Sequence, residues 1–221
     1  MGLQMENNVV TSEDSITDYA LGNLSPAKHI IMACQSEISE KVAEEVAFQE
    51  GIATSFMDEA KPKSLSPNFI GEVLANLPKD VSEADSETVF QGMAPKTLRS
   101  VLGHGLKDMK WRSMVPGVAV HDVLGNRRYV DGERLYLLKA KGGMKMPEHS
   151  HKGDEWSLIL TGSYSIGDKT YRRGDLHIED DTVTHAPHID EGEDCICLVM
   201  TEGPLVMKSW IPKIVQKVVG I

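Results

Sequence analysis

Apolar side chains in the first third of the chain recur at a helical spacing. Ser15 to Leu21 places Ile16, Tyr19 and Ala20 on one side of a short helix that Gly22-Asn23 would end. Ser25-Pro26 reads as an N-cap followed by proline at the first helical position. From Ala27 onward, Ile30, Ile31, Cys34, Ile38, Val42, Val46, Ile52 and Phe56 keep a period near 3.6, with Glu and Lys opposite. The pattern predicts one long helix to about Met57, loosened at Gly51. A second Ser-Pro, Ser66-Pro67, opens a helix carrying Phe69, Ile70, Val73, Leu74 and Leu77, closed by Pro78. Neither helix is apolar all round, so each needs the other or a partner to cover its stripe. Such a small bundle often draws stability from a metal or a partner.

Residues 78–94 are acidic, polar and without apolar periodicity, as a linker would be. Pro95 to Leu106 can form a short helix leading to Trp111. Beyond it the pattern turns to strands. Gly117, Gly125-Asn126 and Asp131-Gly132 punctuate short runs such as Val118–Val123 and Leu135–Ala140. Ser157–Thr161, Tyr164–Ile166, a Gly167-Asp168 hairpin turn and Cys195–Thr201 continue it. The chain is therefore expected to be α+β and multi-domain: a helical bundle over 13–77, a linker over 78–94, and an all-β antiparallel sandwich or barrel over 95–221. The tail from Ile211 to Ile221 is expected to be a terminal helix packed on the barrel or on a neighbour.

Composition narrows the function classes. A 221-residue chain with 41% hydrophobic and 25% charged side chains is ordinary globular material. No apolar run approaches the roughly 18 residues a membrane span needs, and the first residues lack the basic end and apolar stretch of a signal peptide. Three cysteines, few and odd in number, point to a reducing cytoplasm and not to a disulfide framework. The net charge of −10 is uneven: residues 1–94 carry 16 acidic and 5 basic side chains, residues 95–221 carry 17 and 18. An acidic half does not bind nucleic acid directly. It either solvates the surface or meets a basic protein face.

The candidate chemistry lies between Gly143 and His185. His149 and His151 are two apart, so on a strand both point to one face. Glu155 follows past a turn-like Lys152-Gly153-Asp154, and His185 comes from a separate strand. Three imidazoles and a carboxylate without thiolate suit one divalent transition metal, Zn foremost, with Fe(II), Mn, Ni or Cu also compatible. The spacing resembles the cupin family, whose motifs are G-x5-H-x-H-x3,4-E-x6-G and G-x5-P-x-G-x2-H. Gly143, His149, His151, Glu155 and Gly162 fit the first in full. Gly174 and His185 keep the ends of the second, while Asp180 and Thr182 stand where the family has Pro and Gly. The resemblance implies a jelly-roll barrel with these four residues as ligands; a barrel with a vestigial site is the alternative.

Three further features accompany the motif. Cys195 and Cys197 lie two apart on an expected strand, either a redox pair near the metal or simply buried thiols. His188 is a candidate outer-shell group. His29, Cys34 and Glu37 look like part of a zinc site on the long helix.

That last feature connects to a second resemblance. The I-T-D-Y-A-L-G-N-L-S opening, the long helix from Ser25, the P-K-T-L-R-S-V-L-G and W-R-S-M-V-P-G-V segments, and H-A-P at the last ligand together resemble the ChrR-type anti-sigma factors. In that family a helical domain binds an extracytoplasmic-function sigma factor, and a cupin half is implicated in sensing oxidants. The family's H-x3-C-x2-C zinc motif is degenerate here. Cys34 keeps the first cysteine, Glu37 replaces the second, Ile30 stands in the histidine's place and His29 is one residue off register. The expectation is a cytoplasmic regulator with no zinc in the helical half, an acidic surface for the sigma factor, and a possible homodimer. The alternative is a metal-dependent cupin enzyme of dioxygenase or isomerase type, with the helical domain serving dimerisation.

Overall fold

The computed structural model describes residues 13–58, 60–76, 94–124 and 132–207. Its helical half opens with α1 (Glu13–Ala20) and α2 (Pro26–Ile38). Ser25 caps α2 as its sequence suggests, its hydroxyl accepting from Lys28 N–H at 3.4 Å. The single helix expected from Ala27 to Met57 is instead two, because Ser39 breaks it. Ser39 has extended backbone (φ −111°, ψ 108°), closes α2 through its N–H to Gln35 O at 2.8 Å, and starts α3 (Glu40–Asp58). Its hydroxyl accepts from Val42 N–H at 3.4 Å, so one residue ends one helix and caps the next. The apolar period runs across the break and conceals it.

Ala27, Ile31, Met32, Cys34 and Gln35 of α2 are buried, with α1 and α3 packed against it. Helix α4 (Phe69–Ala75) starts after Asn68 and buries none of its residues, so among the described residues the other helix does not cover its stripe. Leu77, Pro78, most of the expected linker and the expected terminal helix lie outside the described residues. Helix α5 (Lys96–Leu102) stops at Gly103, whose left-handed φ of 73° suits glycine. Among the described residues, no helix is long and apolar enough to cross a membrane.

The strands follow in order: β1 (Arg112–Val115), β2 (Val118–Asp122), β3 (Arg134–Ala140), β4 (His149–His151), β5 (Glu155–Thr161), β6 (Ser163–Ile166), β7 (Lys169–Arg172), β8 (Leu176–Glu179), β9 (His188–Ile189), β10 (Cys195–Thr201) and β11 (Leu205–Met207). One antiparallel sheet has the order β1-β2-β3-β10-β5-β8; smaller sheets pair β11 with β4 and arrange β7-β6-β9. This is the helical-plus-cupin architecture the motifs implied.

Strand alternation divides the apolar side chains into two cores. From β10, Cys195, Cys197 and Val199 face the barrel interior with Tyr136, Tyr164 and Ile189. Leu198 and Met200 face the other way, joining Leu137, Trp156, Leu158 and Leu160 against Ile31, Met32 and Cys34 of α2. The central strands are thus buried on both faces, which is why they read as continuous apolar runs such as Leu158–Leu160. Helix α2 lies directly against β5 and β10, so helices and barrel share a core.

Candidate metal centre

Strand β4 delivers His149 and His151, the start of β5 delivers Glu155, and the segment after β8 delivers His185; all four are buried. His149 and His185 face each other across an antiparallel bridge, each N–H bonding the other's carbonyl at 3.0 Å. The second cupin turn forms without its Pro and Gly. Asp180 Oδ1 accepts from Thr182 N–H at 2.9 Å and from its hydroxyl at 2.5 Å, a side-chain turn in place of the backbone one.

The ring orientations suit ligation. His149 Nδ1 lies 2.8 Å from Pro147 O and His151 Nδ1 lies 3.2 Å from Gly153 O. A carbonyl only accepts, so each Nδ1 carries the proton and each Nε2 presents a lone pair inward. His149 Nε2 is 2.9 Å from His185 Nε2, and Glu155 Oε1 is 3.9 Å from that same nitrogen. Burial lowers the His149 pKa, which favours the neutral, ligating form.

Glu179 closes the other side. Its Oε2 contacts His185 Nδ1 and lies 3.9 Å from His151 Nε2, while its Oε1 is 2.8 Å from His177 Nε2. His177 Nδ1 in turn meets the buried Tyr164 hydroxyl at 2.9 Å. Burial would raise the Glu179 carboxyl, but the imidazoles of His151, His177 and His185 outweigh it and hold the pKa below the carboxylate range. The cluster therefore forms two triads with metal-ligand spacing, His149–Glu155–His185 and His151–Glu179–His185. Glu179 Oε2 and His185 Nδ1 pair with each other, which leaves His151 Nε2 buried without a hydrogen-bond partner. A buried imidazole nitrogen left open among nitrogen and carboxylate donors fits a cation.

Glu179 and His177 escaped the sequence reading. The signal was present: Leu176-His177-Ile178-Glu179 follows Gly174 with the same two-residue spacing as His149 and His151, so on a strand both face one way.

A largely apolar cavity of about 100 Å³ opens beside the cluster, with His149, Glu155 and His185 at its polar end and Tyr136, Leu138 and Val199 in its walls. Cys195 and Cys197 also line it, their sulfurs 3.6 Å apart and free. The Cys195 contact and burial push the Cys197 thiol well up, so it stays protonated. His188 is not brought to the centre; it pairs with Ser165 in the β6–β9 ladder. The three residues of the degenerate helical motif have separate partners. His29 stacks on Tyr19 with ring centroids 4.7 Å apart, Cys34 is buried in the shared core, and Glu37 Oε1 accepts from Thr97 N–H at 3.0 Å, capping α5 from a distance.

Known proteins match both halves of this arrangement. Residues 102–205 match the family model described as a ChrR Cupin-like domain. Over 206 residues the chain is 31% identical to the anti-sigma-E factor ChrR of Cereibacter sphaeroides, covering 93% of this chain and 94% of that protein. The chain belongs to the ChrR family. Its fold superposes on ChrR in the crystal structure of the Rhodobacter sphaeroides SigE complex with a TM-score of 0.70 and 27% identity, covering 86% of this chain and 97% of that one. The ChrR-like segment contains the whole centre, from His149 to His185, and the cavity beside it. The likeness to ChrR as a whole also takes in α1 to α3, where the zinc motif is degenerate.

Proposed function

We propose that this protein is an anti-sigma factor of the ChrR type, acting in the cytoplasm on an extracytoplasmic-function sigma factor through its helical half. The observation that carries this is the extent of the likeness, which runs through both halves and nearly the full length of a named anti-sigma factor. The surface supports it. Phe48, Ile52 and Phe56 follow each other at four-residue spacing along α3 and are exposed, as are Phe69, Ile70, Val73 and Leu74 on α4. Such faces need a partner, and the acidic half would complement a basic one. Residues 13–77 form the partner-binding domain and 95–221 the sensing barrel, with 78–94 linking them.

The barrel holds one divalent transition metal on His149, His151, Glu155 and His185, zinc foremost and Fe, Mn or Ni compatible with the same donors. The metal supplies a structural anchor and a centre that a small molecule or oxidant can reach through the cavity. Cys195 and Cys197, in the wall of that cavity, are the candidate sensing groups. The helical half holds without its own zinc through the packing of Ile31, Met32 and Cys34 on the barrel.

Purification of the tagged protein from its native cells, with mass spectrometry of bound proteins and metal counting on the same sample, tests this. A stoichiometric sigma factor and one metal per chain are expected. A preparation with metal but no sigma factor overturns the regulator. The cavity beside the cluster favours one second reading, a metal-dependent cupin enzyme whose exposed helices pair two copies. In that case the same preparation is a homodimer with Fe or Mn in the barrel.

A further inference from the structure

We infer that Glu179 is a positioning residue for the barrel metal: it accepts the Nδ1 proton of His185 and so turns that ring's Nε2 towards His149 and Glu155. The inference rests on the reading that this cluster holds a cation. It goes beyond that reading in naming the residue that fixes one ligand's tautomer and strengthens its lone pair.

The proton positions follow from the partners. Glu179 Oε2 contacts His185 Nδ1. A carboxylate only accepts, so Nδ1 carries the proton and Nε2 keeps its lone pair. On its other side Oε1 lies 2.8 Å from His177 Nε2 and accepts a proton from it in the same way. His177 Nδ1 is then left to accept from the Tyr164 hydroxyl at 2.9 Å. Burial pushes the Tyr164 phenol well up, so it keeps the proton it donates. Tyr171 lies against the His177 ring with centroids 4.3 Å apart, and Tyr164, Tyr171 and His177 are each 5% exposed. Both oxygens of Glu179 are thus engaged, one by a ring packed in the interior and the other by the candidate ligand His185.

The tautomer set by Glu179 has its effect on the metal side. His149 keeps its own proton on Nδ1, at Pro147 O. His149 Nε2 and His185 Nε2 therefore face each other at 2.9 Å with no proton between them, and Glu155 Oε1 is 3.9 Å from the latter. Two lone pairs and a carboxylate oxygen so arranged are unfavourable unless a cation lies among them. The three candidate ligand histidines differ in what anchors them. Backbone carbonyls of Pro147 and Gly153 hold His149 and His151, whereas an anionic side chain holds His185. A charged acceptor pulls harder on the Nδ1 proton and makes Nε2 the more basic donor. The sheet puts that acceptor in place: Glu179 ends β8 and is the register partner of Glu155 on β5. His185, which follows β8 in the chain, is thereby tied back to the strand beside the other ligands.

Zinc affinity, the His185 ring proton and cobalt spectra together test this. The full-length protein is stripped with a chelator, reloaded, and compared with Glu179→Ala, Glu179→Gln and His177→Phe. Wild type should bind one zinc per chain. Its His185 Nδ1 proton, assigned by nuclear magnetic resonance from the ring-nitrogen couplings, should resonate far downfield, as a proton held by a carboxylate does. Glu179→Ala should bind zinc about tenfold or more weakly in chelator competition and lose that resonance. Glu179→Gln keeps the side chain's size; it should weaken binding and move the resonance upfield, and it carries the test if the alanine variant does not fold. His177→Phe should keep the resonance with a smaller loss of affinity. Loaded with Co(II), wild type and both Glu179 variants should give visible bands of equal intensity, because a positioning residue alters strength and not donor count. Unchanged zinc affinity in both Glu179 variants, or a His185 ring bound through Nδ1, overturns the inference. Cobalt bands that change intensity in both variants overturn it as well, by making Glu179 a donor itself. A wild type that binds no zinc overturns the metal reading, a different failure from these.

Discussion

Lys28 Nζ on α2 lies 3.0 Å from Asp154 Oδ2, and Asp154 immediately precedes the candidate ligand Glu155. The same ammonium reaches Glu202 Oε1 at 2.8 Å and sits over the Trp156 ring. Glu202 in turn accepts Asp154 N–H at 3.1 Å, fixing the loop between His151 and Glu155. A helix of the N-terminal half is therefore bonded to the segment that spaces two candidate metal ligands. Seven residues further along, Gln35 Nε2 donates to Gly174 O at 3.1 Å, two residues before the strand that carries His177 and Glu179.

Replacing Lys28 with Met should keep the stem's packing and remove the charge. The ammonium is mostly buried whereas both carboxylates are partly exposed, so the expected loss is about 1–2 kcal/mol, read from urea midpoints. The pH dependence has a definite sign. Burial pulls the Lys28 pKa down, but the bonds to Glu202 and Asp154 outweigh it and raise it above the ordinary 10.5. The contribution is thus complete below that pH and fades as pH rises beyond it. The Glu202 pKa is lowered: burial opposes the shift, and the bond to Lys28 overcomes it. On the acid side, stability fades as pH falls below the ordinary glutamate range. Lys28→Met should show neither dependence from this pair; an unchanged profile would remove the pair from the account.

The shared core predicts cooperative unfolding. Ile31 is fully buried between α2 and the sheet. Ile31→Ala should cost about 2–5 kcal/mol and should lower the helical circular dichroism and the Trp156 fluorescence transitions together. Two separated transitions, with the barrel's unmoved, would mean that the halves fold independently despite their contact.

Much of this site was legible because its candidate ligands come at strand spacings. His149 and His151 share a face by periodicity alone, and Gly143, Glu155 and Gly162 fix the register around them. Two things were hidden for physical reasons. Ser39 breaks a helix without disturbing the apolar period, so only its capping chemistry betrays it. Glu179 falls at an unspecified position of the second motif, and its importance depends on burial and on the orientation of His185, neither of which a linear pattern carries. The exchange of Pro and Gly for Asp180 and Thr182 was visible, but that a side-chain hydroxyl and carboxylate rebuild the turn became evident only from geometry.

Cys34 offers an alkaline test of the helical half. Burial, with the Glu37 charge adding to it, pushes its thiol up to about 12 from an ordinary 9.0. Unfolding releases a thiol that ionises from pH 9 upward while the folded one does not. Stability should therefore be intact below that pH and fall by about 1.4 kcal/mol at pH 10. Cys34→Ala should abolish this part of the decline. Iodoacetamide at pH 8 should leave Cys34 unmodified in the folded protein. Rapid labelling without unfolding would place the thiol at the surface and remove the reason for its shift.

The partner surface can be separated from stability by a single substitution. Phe56 is 69% exposed, on the stripe it shares with Phe48 and Ile52. Its ring contributes little to this chain's own core, so Phe56→Asp should move the urea midpoint by no more than about 0.5 kcal/mol. Burying that aspartate against an apolar partner face would be costly, and an aromatic anchor commonly contributes 2 kcal/mol or more to an interface. Affinity for the co-purified sigma factor should accordingly fall by roughly 30-fold or more, measured by titration calorimetry on full-length protein. Ile70→Asp on α4 should behave similarly if both helices grip the partner. Normal affinity in both variants would leave these stripes without a role in sigma binding. A monomer-to-dimer equilibrium disturbed by the same substitutions would instead identify a second copy as the occupant.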